Sequence, residues 1–237
     1  MSAADMGLAD ESAAPLVGAV VVAAGSGTRL GAGRPKAFVE LAGVTLLEHA
    51  VSRVRDGGVR HVVAVVPVEL VARAGELLGD RAQVVAGGER RQDSVAAGLR
   101  ALPADVQVVL VHDAARCLAP ASLVARVAAA VGPHAPAVVP GLTVVDTLKE
   151  VDDAGHVVAT VDREPLRRVQ TPQGFDRTVL EQAHETAGDS AATDDAALVE
   201  RLGLAVTVVA GDELALKVTT AQDLALAEWL LARGRGD

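Results

Sequence analysis

The feature that most constrains this chain is a series of short runs that are apolar on almost every residue. Val17–Ala24, His61–Val66, Gln83–Val85, Val106–Val111, Ala137–Val139 and Ala205–Val209 read as strands. A strand with one wet face alternates apolar and polar residues, and these do not. Both of their faces must therefore be covered, as in a parallel sheet sandwiched between helices. Helical periodicity fills the intervals at Thr45–Arg55, Glu69–Leu78, Arg91–Leu102, Pro120–Val131, Asp176–Ala187, Asp194–Leu202 and Ala221–Arg233. The alternation predicts an α/β fold: an open, mainly parallel, Rossmann-like sheet with helices on both faces. Ligands of such a sheet sit beyond the carboxyl ends of its strands.

One segment interrupts the rhythm. Leu142–Glu164 has two β-rich arms around the polar turn Asp152-Asp153-Ala154-Gly155 and predicts an inserted β-hairpin arm. A lone hairpin is marginal in water, so the arm is expected to pack on a second subunit; folding back onto its own sheet is the alternative. The domain is expected to span residues 17–233, with a disordered tail over 1–16.

Composition excludes several functions. The net charge of −9 rules out a broad phosphate-backbone footprint. Phe38, Phe175 and Trp229 are the only aromatics, too few to stack single-stranded bases. No nucleic-acid partner is expected. Cys117 is the only cysteine, which excludes an internal disulfide and a cysteine-built zinc site. No apolar run approaches the roughly 20 residues of a membrane span, and the acidic N-terminus lacks the basic start of a signal peptide. A cytoplasmic location without membrane contact is expected. The chain carries only three lysines, Lys36, Lys149 and Lys217, its other cations being arginines.

The first strand runs into a glycine-rich loop, "AAGSGTRLGAGRPK" (residues 23–36). A Walker A loop needs Gly before its lysine and Ser or Thr after it; here Pro35 precedes Lys36 and Ala37 follows. A dinucleotide fingerprint needs G-x-G-x-x-G, and Gly25, Gly27 and Gly31 are spaced one residue too far, which also disfavours a dehydrogenase. What remains is a loop whose backbone amides, Arg29, Arg34 and Lys36 can cradle phosphates. An ordinary βα turn with solvated charges is the alternative.

Further motifs follow in order: "AGGERRQDSVAAGL" (Ala86–Leu99), "VHDAARCL" (Val111–Leu118), "DTLK" (Asp146–Lys149), "VDRE" (Val161–Glu164), "QTPQGF" (Gln170–Phe175), "TDDA" (Thr193–Ala196) and "LKVTTAQDLALAE" (Leu216–Glu228). With the loop, this set resembles the 2-C-methyl-D-erythritol 4-phosphate cytidylyltransferase family over about residues 17–232. The resemblance implies an enzyme that joins CTP to 2-C-methyl-D-erythritol 4-phosphate, giving 4-diphosphocytidyl-2-C-methyl-D-erythritol and pyrophosphate in the non-mevalonate isoprenoid pathway. A ribitol-5-phosphate cytidylyltransferase and a nucleotide-binding module without turnover are the alternatives.

The resemblance also implies roles for individual residues. Arg29 and Lys36 would stabilise charge on the triphosphate, with Ala23, Ala24, Gly25 and Gly27 giving backbone contacts. Gly88 and Ser94 would read cytosine, although Ser94 also suits a helix N-terminus. Asp113, at the end of an apolar strand, would hold Mg²⁺ or another divalent cation, or else cap a turn. Arg116 would contact substrate phosphate or a neighbouring acid. Thr147 and Arg163 on the arm would reach the acceptor phosphate of a partner subunit in a homodimer. Thr171 and Thr193 would line the acceptor pocket, and Lys217 with Arg163 would position the acceptor for attack. His112 and Cys117 are expected as packing residues. The family often shows Met where Leu30 stands, Gln at Ala37, and Asn, Pro and Glu at Ala215, Ala221 and Gln222.

Overall fold

A computed structural model describes residues 14–25, 35–188 and 192–234. The first half runs β1 (Val17–Val22), β2 (Glu40–Leu41), β3 (Val44–Thr45), α1 (Leu46–Asp56), β4 (His61–Val66), α2 (Val71–Leu78), β5 (Gln83–Ala86), α3 (Arg91–Ala101), β6 (Val108–Asp113) and α4 (Ala121–Ala130). The second half runs β7 (Ala137–Thr143), β8 (Leu148–Val151), β9 (Val157–Val161), β10 (Arg167–Val169), β11 (Gln173–Asp176), α5 (Arg177–Ala187), α6 (Asp195–Arg201), β12 (Thr207–Ala210) and α7 (Ala221–Arg233). β4 and α7 occupy the residues expected from the sequence. Most other bounds shift by a residue or two, and β7 continues four residues further than expected.

Eight of the described strands form one sheet. β6, β1, β4 and β5 are neighbours in that order and parallel throughout. β11 lies antiparallel between β6 and β7, β10 pairs antiparallel with the far end of β7, and β12 pairs parallel with β7. The parallel sheet is thus as expected, and two antiparallel strands are added that the sequence did not announce. β10 is short and carries Arg167 and Arg168; β11 contains Gly174 and starts at Gln173, so neither has an apolar run to display.

Apolar residues on both sides of each strand divide between two cores. Ala19, Val21, Ala64, Val66 and Leu110 pack under α1, α2 and α4. Val20, Val63, Val65, Val109, Val111 and Phe175 pack against α3, α5 and α6. This is why the strand runs lack alternation. A third cluster joins Leu41, Leu46, Cys117, Leu118, Val218 and Ala227, seating α7 beside the start of α1. Cys117 is a packing residue, as expected, and burial pushes its thiol up to about 12. Helix starts are fixed locally. The Thr45 hydroxyl accepts from the Glu48 amide, and the Glu48 carboxylate accepts from the Thr45 amide, a reciprocal cap that satisfies two donors at the head of α1.

β8 and β9 pair only with each other among the described residues. Every residue of both strands is exposed, including Val151, Val157, Val158 and Val161. The arm therefore does not fold back onto its own sheet.

Close approach decides one glycine of α3. A Cβ on Gly98 would lie 2.4 Å from Cγ1 of Val20 and 3.0 Å from Cγ2 of Val65. In an open helix, Gly→Ala gains about 1 kcal/mol; here the helix rests on the sheet, and overpacking costs about 1–3 kcal/mol. Gly98→Ala is expected to lower the urea midpoint of unfolding. An unchanged or raised midpoint would show that α3 can lift off β1 freely.

Candidate active site at the strand ends

The strand order identifies where a ligand belongs. From β1 the chain proceeds outward to β4 and β5, then returns with β6 to the opposite side of β1. The crevice opens at such a reversal. Register aligns Val22 with Asp113 on one side and Val65 on the other, and Val66 with Ala86. Four carboxyl ends therefore meet at one level. The Ala23 amide donates to Val65 O at 2.8 Å, that of Gly87 to Val66 O at 2.8 Å, and that of Ala114 to Val22 O at 3.0 Å.

A cleft at this level is lined by Val22 to Gly25, Lys36, Ala37, the Gly88–Arg91 turn, Ser94, Asp113, Ala115 and Lys217. Of the residues singled out in the sequence, Ala23, Ala24, Gly25, Lys36, Gly88, Ser94, Asp113 and Lys217 meet here. Gly27, Arg29 and Arg34 lie outside the described residues.

The turn after β5 is shaped by crowding. A Cβ on Gly87 would meet Ala24 Cβ and Ser94 Oγ, both at 2.7 Å, and one on Gly88 would sit 2.4 Å from Asp93 Cβ. Ser94 is buried; its hydroxyl accepts from the Gly88 amide at 3.2 Å and donates to Arg90 O at 3.2 Å. Within this chain, Ser94 pins the turn that presents its backbone to the cleft.

Asp113 stands at the centre. Its Oδ2 accepts from Lys217 Nζ at 2.7 Å, and its Oδ1 lies 3.5 Å from Arg91 Nη2. Burial by itself would raise this carboxyl, but the charges of Arg91 and Lys217 outweigh it and hold it at about 2. Its amide donates to the Thr171 hydroxyl at 3.0 Å. That hydroxyl is also hydrogen-bonded to Nδ1 of His112 at 3.1 Å. Burial pushes His112 down to about 4, so the imidazole is neutral at neutral pH. Thr171 is buried and commits its hydroxyl to orienting the Asp113 backbone.

Lys217 is delivered from 104 residues away by a clamp on its backbone. Arg116 donates to Ala215 O at 2.7 Å and to Val169 O at 3.2 Å. Gln170 donates to Asp212 O at 2.8 Å and accepts from the Asp212 amide at 2.9 Å. The Val218 amide donates to Ala115 O at 2.8 Å. Arg116 thus spends two nitrogens on carbonyls that seat the Lys217 segment.

Thr171 and Arg116 do not line this cleft; they brace the Asp113 backbone and the Lys217 segment behind it. Three further expected residues lie elsewhere. Thr193 is exposed just before Asp194, the cap of α6, and does not line the cleft. Thr147 and Arg163 are exposed on the arm, where Arg163 donates to Val145 O. Sequence reasoning passed over Gln170 and the trio Arg91, Asp195 and His184. Arg91 lay inside a quoted motif, but nothing distinguished it from Arg90; Asp195 and His184 join it only through the packing of α3, α5 and α6.

A glycine-lined crevice at a strand-order reversal, holding lysines and one half-buried carboxylate, defines an α/β nucleotide-binding enzyme site. Comparison with known proteins narrows the class. Residues 17–233 match the family described as IspD: 2-C-methyl-D-erythritol 4-phosphate cytidylyltransferase. A protein of that name from Saccharopolyspora erythraea is 55% identical over 222 residues, covering 90% of this chain and 98% of the relative. One from Rhodococcus opacus is 50% identical over 225 residues, covering 94% and 98%. The crystal structure of the enzyme of that name from Thermus thermophilus superposes with a TM-score of 0.78 at 39% identity, covering 91% of this chain and 98% of that one. The chain belongs to the 2-C-methyl-D-erythritol 4-phosphate cytidylyltransferase family.

Asp113 makes a pH signature. A carboxyl held below its ordinary 3.8 adds stability that is complete above that value and is lost as the pH falls toward 2. Between pH 4 and 2, the native protein should therefore lose more stability in urea titrations than Asp113→Asn does. Parallel acid limbs for the two proteins would mean that the ion pair is not formed in solution.

Proposed function

We propose that this chain transfers the cytidylyl group of CTP to the phosphate of 2-C-methyl-D-erythritol 4-phosphate, with release of pyrophosphate. The observation that carries it is the meeting of Lys36, Asp113 and Lys217 with the Gly88–Ser94 turn at the strand ends, in a member of a cytidylyltransferase family. The acceptor phosphate oxygen attacks the α-phosphorus; one P–O bond forms as that to the pyrophosphate breaks. The nucleophile is already an anion, so no general base is required. The barrier lies in bringing two anions together, which calls for positioning and for cations.

Lys36 and Arg29 neutralise the triphosphate as charge moves toward the leaving group. The Gly88–Ser94 turn offers backbone groups to the edge of cytosine. Lys217, paired with Asp113 at 2.7 Å, exchanges that partner for the acceptor phosphate. A divalent cation, Mg²⁺ in this reading, supplies further neutralisation of the triphosphate when bound. No cluster of three or more His, Cys, Asp or Glu side chains among the described residues could hold a metal alone. A lone carboxylate nevertheless fits, because Mg²⁺ is commonly held by one or two carboxylates together with substrate phosphates. Asp113 would hold it through Oδ1, which lies 3.5 Å from Arg91 Nη2.

The arm is read as a dimer element. Its exposed valines leave an apolar surface that water disfavours, and Thr147 and Arg163 project from it rather than line their own cleft. In a homodimer they would reach the partner's acceptor site. Among the described residues no helix is long and apolar enough to cross a membrane, in keeping with the proposed cytoplasmic location.

Purified protein with Mg²⁺ and CTP is expected to release pyrophosphate with methylerythritol phosphate and not with ribitol 5-phosphate; the reverse preference would reassign the acceptor. Lys36→Ala should lower kcat by about 10²–10³-fold with an unchanged melting temperature, and near-native turnover would remove Lys36 from the chemistry. Mixing Lys36→Ala with Arg163→Ala chains should restore about a quarter of native activity, since half the dimers then carry one intact site. No recovery in demonstrated mixed dimers would confine the site to one chain.

A further inference from the structure

Arg91 faces two carboxylates and treats them unequally. Its Nη1 donates to Asp195 Oδ2 at 2.6 Å, a short charge-assisted bond. Its Nη2 stands 3.5 Å from Asp113 Oδ1, at the limit of hydrogen bonding. The guanidinium is therefore anchored to Asp195 and only leans toward Asp113.

The anchor cannot drift. The Asp195 side chain is 1% exposed. Its other oxygen, Oδ1, accepts from His184 Nε2 at 3.0 Å. Its backbone opens α6 directly behind Asp194, which caps the helix by accepting from the Ala197 amide at 3.0 Å and is gripped by Gln173 Nε2 at 2.7 Å. His184 on α5, Asp195 on α6 and Arg91 on α3 thus form one strut, buried at His184 and Asp195 and ending at the half-buried Arg91 beside the cleft. The charge of Arg91 is divided between two carboxylates, which leaves it poorly suited to neutralise a phosphate. Its consequence for the cleft is steric and electrostatic: it sets how far a fixed cation stands from Asp113.

We infer that Asp195 is a positioning residue that draws Arg91 away from Asp113 and so keeps Oδ1 open to a divalent cation. Without Asp195, Arg91 would close on Asp113 as a full ion pair and compete with the metal. His184 supports this by holding the second oxygen of Asp195. The inference rests on the reading of Asp113 as the metal-holding group.

The test is Mn²⁺ binding to the CTP-loaded protein, followed by the electron paramagnetic resonance signal of free Mn²⁺. Asp195→Asn is expected to weaken Mn²⁺ binding about tenfold, the usual scale for a residue acting behind a metal ligand. Adding Arg91→Met to Asp195→Asn removes the competing cation, and should return the affinity to within about threefold of native. The double variant also removes both partners of a buried pair together, which proteins tolerate better than loss of one. A double variant still tenfold weaker than native overturns the inference, as does an Asp195→Asn protein that binds normally. If Asp195→Asn does not fold, the double variant alone decides by the same threshold. Asp113→Asn separates the two levels of the argument: native-like Mn²⁺ binding there overturns the metal role of Asp113 itself, whereas weakened binding there with an unaffected Asp195→Asn overturns only the role of Asp195.

Discussion

The cleft is organised around one carboxylate that two cations share. Asp113 leaves the end of β6 between Lys217 on one oxygen and Arg91 near the other. A buried acid is expensive to ionise, and this one remains charged because its partners are rigidly supplied. Each partner arrives on separate scaffolding: Lys217 on a segment clamped by Arg116 and Gln170, Arg91 on a helix tied to α6. The sheet provides the depth, and the carboxylate provides the reason for distant segments to converge there.

The fold was legible because its strands are buried on both faces, a property written into composition rather than into pairwise contacts. β1, β4 and β6 carry runs of Val, Ala and Leu with no polar face, and each announces itself. β10 and β11 did not, because they are completed by register with β7 and β6, which leaves no local trace. The site divided in the same way. Lys36, Asp113 and Lys217 stood out by resemblance and by the scarcity of lysine. Arg91, Asp195 and His184 acquire meaning only when three helices pack together, and no periodicity encodes that. The hydroxyls of Thr171 and Ser94 illustrate a subtler gap: sequence identifies the group, while the structure shows it spent on the backbone around the cleft.

The arm carries the opposite lesson. Its strands were readable and its turn was readable, yet little apolar surface is buried on it to stabilise it. Two strands with every residue exposed bury nothing of their own. The isolated hairpin is held by its cross-strand ladder, to which Lys149 adds a bond to the Thr160 hydroxyl at 2.6 Å.

The clamp on the Lys217 segment grips carbonyl oxygens, not side chains. Arg116 and Gln170 both address the oxygen of Ala215, a group that every amino acid possesses. Ala215 itself is completely enclosed, so its neighbours restrict its bulk but ask nothing of its chemistry. Any residue small enough for that enclosure can stand there without loosening the lysine. Evolution is thereby left free to edit the letters around Lys217 while the geometry that delivers it stays the same.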